Sequence, residues 1–174
     1  MNIFHRLFQK PLVDEYEDYT IEDLDVGFVF DYNLQNWIVK KVYYYDWGNE
    51  NICKECLIDS GSENFLLYVN TNYVSECFLK KEIDISKIDT KLSQLKSPPS
   101  QIAISNKLFD KLEEKPGYFS FKRNSWKELI QFKYINKEEN SFLIINQTDE
   151  FLYNAYDASS LNISEISNIY PSQD

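Results

Sequence analysis

The sequence predicts a mostly β protein: an antiparallel sandwich or barrel built from two related β units, with few short helices. Three observations point there. Tyr and Phe supply 13 and 12 of the 174 residues, and aromatic side chains fit a pleated, half-buried surface. Ala occurs only at Ala103, Ala155 and Ala158, too rarely for a helical bundle. Short apolar runs alternate with turn residues at close spacing, which is the pattern of strands joined in a meander.

Each run can be justified in order. Residues 1–18 form an N-terminal segment that ends in the acidic stretch Asp14 to Asp18; a single β-rich domain, 19–174, follows. Val26 to Phe30 is a short β run, and Asp31-Tyr32-Asn33 supplies turn residues. Trp37 to Tyr45 is strongly β, with Gly48-Asn49 as a hairpin turn and Cys53 to Ile58 as the return strand. Phe65 to Val69 and Val74 to Leu79 continue the meander. The polar stretch Lys91 to Ser100, with Pro98-Pro99, reads as a linker. Beyond it, Tyr118 to Phe121, Leu129 to Tyr134, Phe142 to Ile145 and Phe151 to Tyr156 read as strands.

The two sides of the linker resemble each other, giving pseudo-repeats over about 19–90 and 101–171. Lys54 to Asn70 (KECLIDSGSENFLLYVN) and Lys127 to Asn146 (KELIQFKYINKEENSFLIIN) share a Lys-Glu, a β run, a polar Glu-Asn turn and an apolar strand ending in Asn. Asp84-Ile85-Ser86-Lys87-Ile88 parallels Asn162-Ile163-Ser164-Glu165-Ile166. The repeat also bears on Asn106 to Glu114, whose apolar spacing is helical. Its counterpart by position, Asn36 to Val42, is β, so a strand is expected, with Pro116-Gly117 as the turn after it.

The formal charge of −10 sets limits on partners. Phosphate backbones are held by Lys and Arg through counterion release, and the 18 basic residues are outnumbered by 28 acids and form no dense run. No nucleic acid is therefore expected as a partner, whereas a basic protein suits the charge. No stretch approaches the roughly 18 apolar residues of a membrane span. Ile3, Phe4, Leu7 and Phe8 recur at helical spacing beside Arg6 and Lys10, which fits a short covering helix or a weak membrane-surface contact. That segment lacks the apolar core and cleavage site of a signal peptide, so a cytoplasmic location is expected.

Candidate chemistry is sparse. The glycines are isolated, which excludes a Gly-rich phosphate loop of the usual form. A His-based triad would have to use His5, in the least constrained part of the chain. Cys53-Lys54-Glu55-Cys56 has the C-x-x-C form, but Cys77 adds only a third thiol and a structural zinc needs four ligands. The motif also lies in a strand, so small buried residues are the expectation, with no metal or cofactor. Two groups of residues remain. Glu55 and Glu128 occupy matching places in the repeat and form a candidate pair of cleft acids; the same pattern also fits solvent-facing or lysine-paired residues. Tyr43, Tyr45, Asp46 and Trp47 form a candidate interaction surface. Alternation places Tyr43 and Tyr45 on one face and Tyr44 on the other, so the cluster is either a partly exposed recognition face or a strand buried on both sides.

Read together, the run VGFVFDYNLQNWIVKKVYYYDWGNENICKECLIDSGSENFLLYV, with the later Pro98-Pro99, Gly117-Tyr118 and Ile166 to Ile169, resembles the bacterial domain-of-unknown-function family 4178. The resemblance covers 19–171 as a pattern of strands and turns. It implies a β-rich accessory domain of the kind found beside membrane-stress and phage-shock-type genes, and it supplies no catalytic residues. The function expected first is a non-catalytic β module that binds another protein through an acidic and aromatic face. A ligand-binding or enzymatic cleft between the two β units, and an acidic immunity protein against a toxin, are the alternatives.

Overall fold

The computed structural model describes residues 18–172 apart from 71, 73–75, 89–90 and 122–124. The N-terminal segment singled out above, with His5 and its apolar stripe, lies outside the described residues. Eleven strands follow one another: β1 (Phe28–Tyr32), β2 (Gln35–Asp46), β3 (Ile52–Asp59), β4 (Asn64–Asn70), β5 (Glu76–Ile83), β6 (Gln101–Ile104), β7 (Lys107–Ser120), β8 (Lys127–Asn136), β9 (Ser141–Asp149), β10 (Leu152–Ser160) and β11 (Ser167–Pro171). Short 3₁₀ turns interrupt them at Ile21–Asp23, Ile85–Lys87, Leu92–Gln94 and Ile163–Glu165.

All strands belong to one antiparallel sheet in the order β11-β1-β2-β3-β4-β5-β10-β9-β8-β7-β6. A further pairing of β2 with β7 (Tyr44 with Ser120, Tyr45 with Phe119, Asp46 with Tyr118) bends this sheet round on itself. The strands β2, β3, β4, β5, β10, β9, β8 and β7 thereby close a ring. The fold is the β-rich, two-unit architecture the sequence predicts, with the barrel-like closure the sequence left open.

The two halves use the same local devices. The β1–β2 hairpin turns on Asn33 and Leu34, and the β6–β7 hairpin on Ser105 and Asn106, all four at positive φ. Two consecutive left-handed residues match the strand twist in a two-residue hairpin. The Asp84 side chain accepts from Ser86 N and that of Asn162 from Ser164 N, so each half ends in the same capped 3₁₀ turn.

The ends of the halves are exchanged. β11, the tail of the second half, pairs with β1 of the first. Ile88, in the tail of the first half, bridges to Ile104 in β6 of the second. The cores record the same exchange. Leu161 and Ile166 pack with Phe30, Trp37, Ile58 and Leu67 on the outer face of the first half. Ile88 and Leu92 pack with Phe109, Phe132, Tyr134 and Ile145 on the outer face of the second. A third core fills the ring from both halves, with Tyr45, Trp47, Tyr68, Phe78, Phe142 and Ile144. Both sheet faces are buried in each half, which explains the near-continuous apolar and aromatic runs.

Two local expectations change. Pro116-Gly117 is not a turn but the middle of the 14-residue strand β7. Proline is tolerated there because, on the side away from β8, β7 pairs with β6 only at Lys107 to Asp110 and with β2 only at Tyr118 to Ser120. Glycine is needed at 117 because a Cβ would lie 2.5 Å from the Trp47 ring and 2.8 Å from the Asp46 carbonyl oxygen. The proline-rich linker is docked rather than loose: Tyr134, Tyr153 and Lys111 donate to the carbonyls of Pro99, Leu95 and Pro98 at 2.7, 2.9 and 2.8 Å. The ambiguous segment Asn106 to Glu114 is strand from Lys107 onward.

Candidate functional site

Strand alternation puts Tyr43, Tyr45, Cys53, Glu55, Tyr68, Phe78 and Lys80 on the inner face of the ring, while Tyr44, Cys56, Leu67 and Cys77 turn outward. The C-x-x-C residues therefore stand on opposite faces, as a spacing of three requires in a strand. All three cysteines are buried free thiols, and burial pushes Cys56 and Cys77 up to about 12. Among the described residues no three His, Cys, Asp or Glu side chains gather to hold a metal ion.

At the centre of the ring lies a buried ion pair. Glu55 on β3 and Lys80 on β5 retain 2% and 1% of their exposure and touch through Oε2 and Nζ. The Tyr45 hydroxyl donates to Glu55 Oε1 at 2.9 Å. Burial, and secondarily the Glu55 charge, hold that hydroxyl well above the usual phenol range, so it stays a donor. The Lys80 ammonium faces the rings of Tyr156, Tyr68 and Tyr45 at 4.9, 5.6 and 5.7 Å. Apart from each other, Lys80 Nζ and Glu55 Oε2 have no hydrogen-bond partner among the described residues. Trp47 stacks on Tyr45 with centroids 5.5 Å apart and donates from Nε1 to the Tyr68 hydroxyl at 3.0 Å.

Two concavities open beside this centre. One, of about 470 Å³, is the mouth of the ring between the halves, with Glu55 and Lys80 in its lining together with Tyr43, Phe119 and Tyr156. The other is a groove of about 770 Å³ along the ends of β2, β7, β8 and β9. Its floor is Trp47, Pro116, Gly117, Leu129 and Ile130, and Asp46, Glu128, Asp149 and Glu150 line it with no Lys or Arg. Leu129 and Thr148 border both.

The candidate residues thus separate. Tyr45 and Trp47 are buried and Tyr43 and Asp46 half-buried, so the aromatic strand forms inner wall and groove floor, not an outward face. Of the exposed aromatics among the described residues, Tyr118 lines the groove and Phe121 lines the ring mouth. Glu55 and Glu128 do not converge: Glu55 points into the ring, whereas Glu128 is exposed and lines the groove. Matching the two Lys-Glu pairs misleads because the strands differ in length. Glu55 stands four residues before the end of β3 and Glu128 eight before the end of β8. Asp46, Trp47 and Glu128 are brought together in the groove. Sequence reasoning missed Lys80, hidden in Lys80-Lys81, although its two-residue spacing from Phe78 marks it as inward. It also missed Asp149 and Glu150, which only the closure of the ring carries to Asp46.

The family described as domain of unknown function (DUF4178) matches residues 25–162. No curated protein and no solved structure matches the chain.

Proposed function

The chain belongs to the DUF4178 family, a family without an assigned chemistry, and from that premise we propose that it is a non-catalytic module whose acidic groove binds a basic segment of another protein. One observation carries this reading: four carboxylates, with no Lys or Arg in the lining, border an apolar floor in a groove of about 770 Å³. Such a groove offers an anchor for an aliphatic or aromatic side chain and a rim for Lys or Arg. Tyr118, at 46% exposure, lines it and adds contact area. The charge of −10 favours encounter with a basic partner over long range. Two acids in separate concavities, one already paired with a lysine, lack the geometry of a general acid–base couple, which favours the binding reading over the enzymatic one.

The test uses a Lys-Phe-Lys-Phe-Lys peptide titrated into the full chain while tryptophan fluorescence is followed. Binding that weakens as salt rises, and about 5- to 30-fold in the charge-reversed variant Asp149→Lys/Glu150→Lys, is expected from roughly 0.5–1 kcal/mol per exposed charge contact. Equal affinity in that variant at every salt concentration would remove the reading.

A further inference from the structure

The ring mouth is a second and separate site. We propose that it binds a small, uncharged, flat aromatic molecule whose polar end carries a hydrogen-bond acceptor, with that acceptor taken by Lys80. The cavity, at about 470 Å³, falls within the span of small-molecule sites. Its upper wall is aromatic: Phe121 lies edge-on to Tyr43 and to Phe119, with centroids 5.2 and 5.4 Å away and interplanar angles of 76° and 69°. Edge contacts of this kind leave ring faces free to stack on a flat guest. Leu57 and Leu66 complete the apolar part, and Asn64, Thr148 and Asn154 give a polar rim.

The bottom of the cavity selects the guest's polar end. An ammonium has three N–H donors. Lys80 directs one at Glu55 and has no other oxygen or nitrogen partner among the described residues. Such an unused donor in a buried site is costly, and an acceptor that reaches it recovers that cost. Glu55 Oε1 already accepts from Tyr45, so the carboxylate is the less hungry partner. Lys80 lines the cavity, and an N–H other than the one on Glu55 is the donor assigned to the guest's acceptor. Charge excludes the two ionic alternatives. Glu55 and Glu82 against Lys80 leave the lining one negative charge in excess, so a carboxylate guest would share one ammonium with a second carboxylate. A cationic guest would meet Lys80 itself. A carbonyl oxygen on an uncharged aromatic body fits both constraints.

The experiment compares three naphthalene probes on the full chain by fluorescence: propionyl-dimethylaminonaphthalene, which is a neutral ketone; dimethylaminonaphthalene, which lacks the acceptor; and dimethylamino-naphthoate, its carboxylate relative. The ketone should bind at least about tenfold tighter than either of the others, the scale of one hydrogen bond to a charged donor. Lys80→Met should reduce the ketone to the level of the probe without the acceptor, and Leu57→Trp, which fills the cavity, should abolish binding of all three. Equal binding of the ketone and the acceptor-free probe, or tightest binding of the carboxylate, overturns the assignment even if Lys80→Met fails to fold. Absence of binding by every probe overturns it as well. Charge reversal at Asp149 and Glu150 should leave the ketone affinity unchanged, which keeps this site distinct from the groove.

Discussion

Replacing Lys80 with Met, Glu55 with Met, and both together should give a strongly non-additive set of stabilities. The two groups are almost fully buried, touch each other, and share their surroundings with Tyr45. Removing one partner strands the other charge away from water, which costs about 3–5 kcal/mol. Lys80→Met leaves the carboxylate with only the Tyr45 hydroxyl, and Glu55→Met leaves the ammonium with three tyrosine faces, so each single change should fall at about 3–4 kcal/mol. In the double variant no charge remains. The residual loss is the Tyr45 hydroxyl without its acceptor, about 1 kcal/mol, partly offset by the apolar Met–Met contact. The coupling energy should therefore be about 4 kcal/mol or more. Urea unfolding measures it: with a slope of about 2 kcal/mol/M, the single variants should lose roughly 1.5–2 M in midpoint and the double less than about 0.5 M. Single variants within about 1 kcal/mol of the parent, or a double variant whose loss equals their sum, would refute the buried-pair account.

Other consequences follow from burial. Tyr45, Tyr68, Tyr134 and Tyr156 are held above the ordinary phenol value, chiefly by burial. A folded-state value above the unfolded one means that this stabilisation is complete below about pH 10 and is lost as the pH rises past it. Phenolate absorbance from these four should then appear together with the collapse of near-ultraviolet dichroism, and ionisation with tertiary structure intact would contradict it. Gly117→Ala drives a methyl into Trp47 and the Asp46 carbonyl, which should cost about 1–3 kcal/mol. For a chain of this size that is a fall in Tm of roughly 2–10 °C, and an unchanged melt would show that the β2–β7 seam yields freely. With all three thiols buried and Cys56 and Cys77 near 12, a thiol reagent at pH 8 should find no rapidly reacting cysteine until denaturant is added.

Much of the architecture was legible because alternation and turn chemistry are local. Tyr43 and Tyr45 against Tyr44 divide between two cores as period two requires, and the Asp84 and Asn162 markers form the same capped turn. What failed was non-local. Pro116-Gly117 looks like a turn in any window of sequence. It becomes strand only because the edge of β7 is free there and Trp47 arrives against residue 117 from β2. β11 is short and pairs with β1 at the far end of the chain, so nothing nearby marks it, and β6 is a four-residue strand whose hairpin with β7 is too short to stand out. The site residues followed the same rule. The sequence left Glu55 open between a cleft acid, a solvent-facing residue and a lysine-paired one; its pairing with Lys80 depended on the side-by-side packing of β3, β4 and β5, and its distance from Glu128 on ring closure, which no run of residues encodes alone.

Both sites lie where equivalent strands of the two halves meet, and the pairs found there are unlike. Lys80 stands four residues before the Asp84 cap and Ala158 four before the Asn162 cap, and the two are partners across the β5–β10 seam. Asp46 and Tyr118 each stand twelfth in their strands, β2 and β7, and face each other across the other seam. Identical halves would set like against like at these positions. Two lysines would repel in a medium of low dielectric, and two alanines would leave the centre of the ring underfilled. With one of each, the small Ala158 side chain leaves room beside the lysine stem, whose ammonium pairs with Glu55 two strands away on β3. At the second seam, a carboxylate beside an exposed phenol opens the acidic groove in place of a closed apolar contact. The near-symmetry of the two halves builds the frame, and the recesses able to hold a partner arise at the two seams where that symmetry is broken.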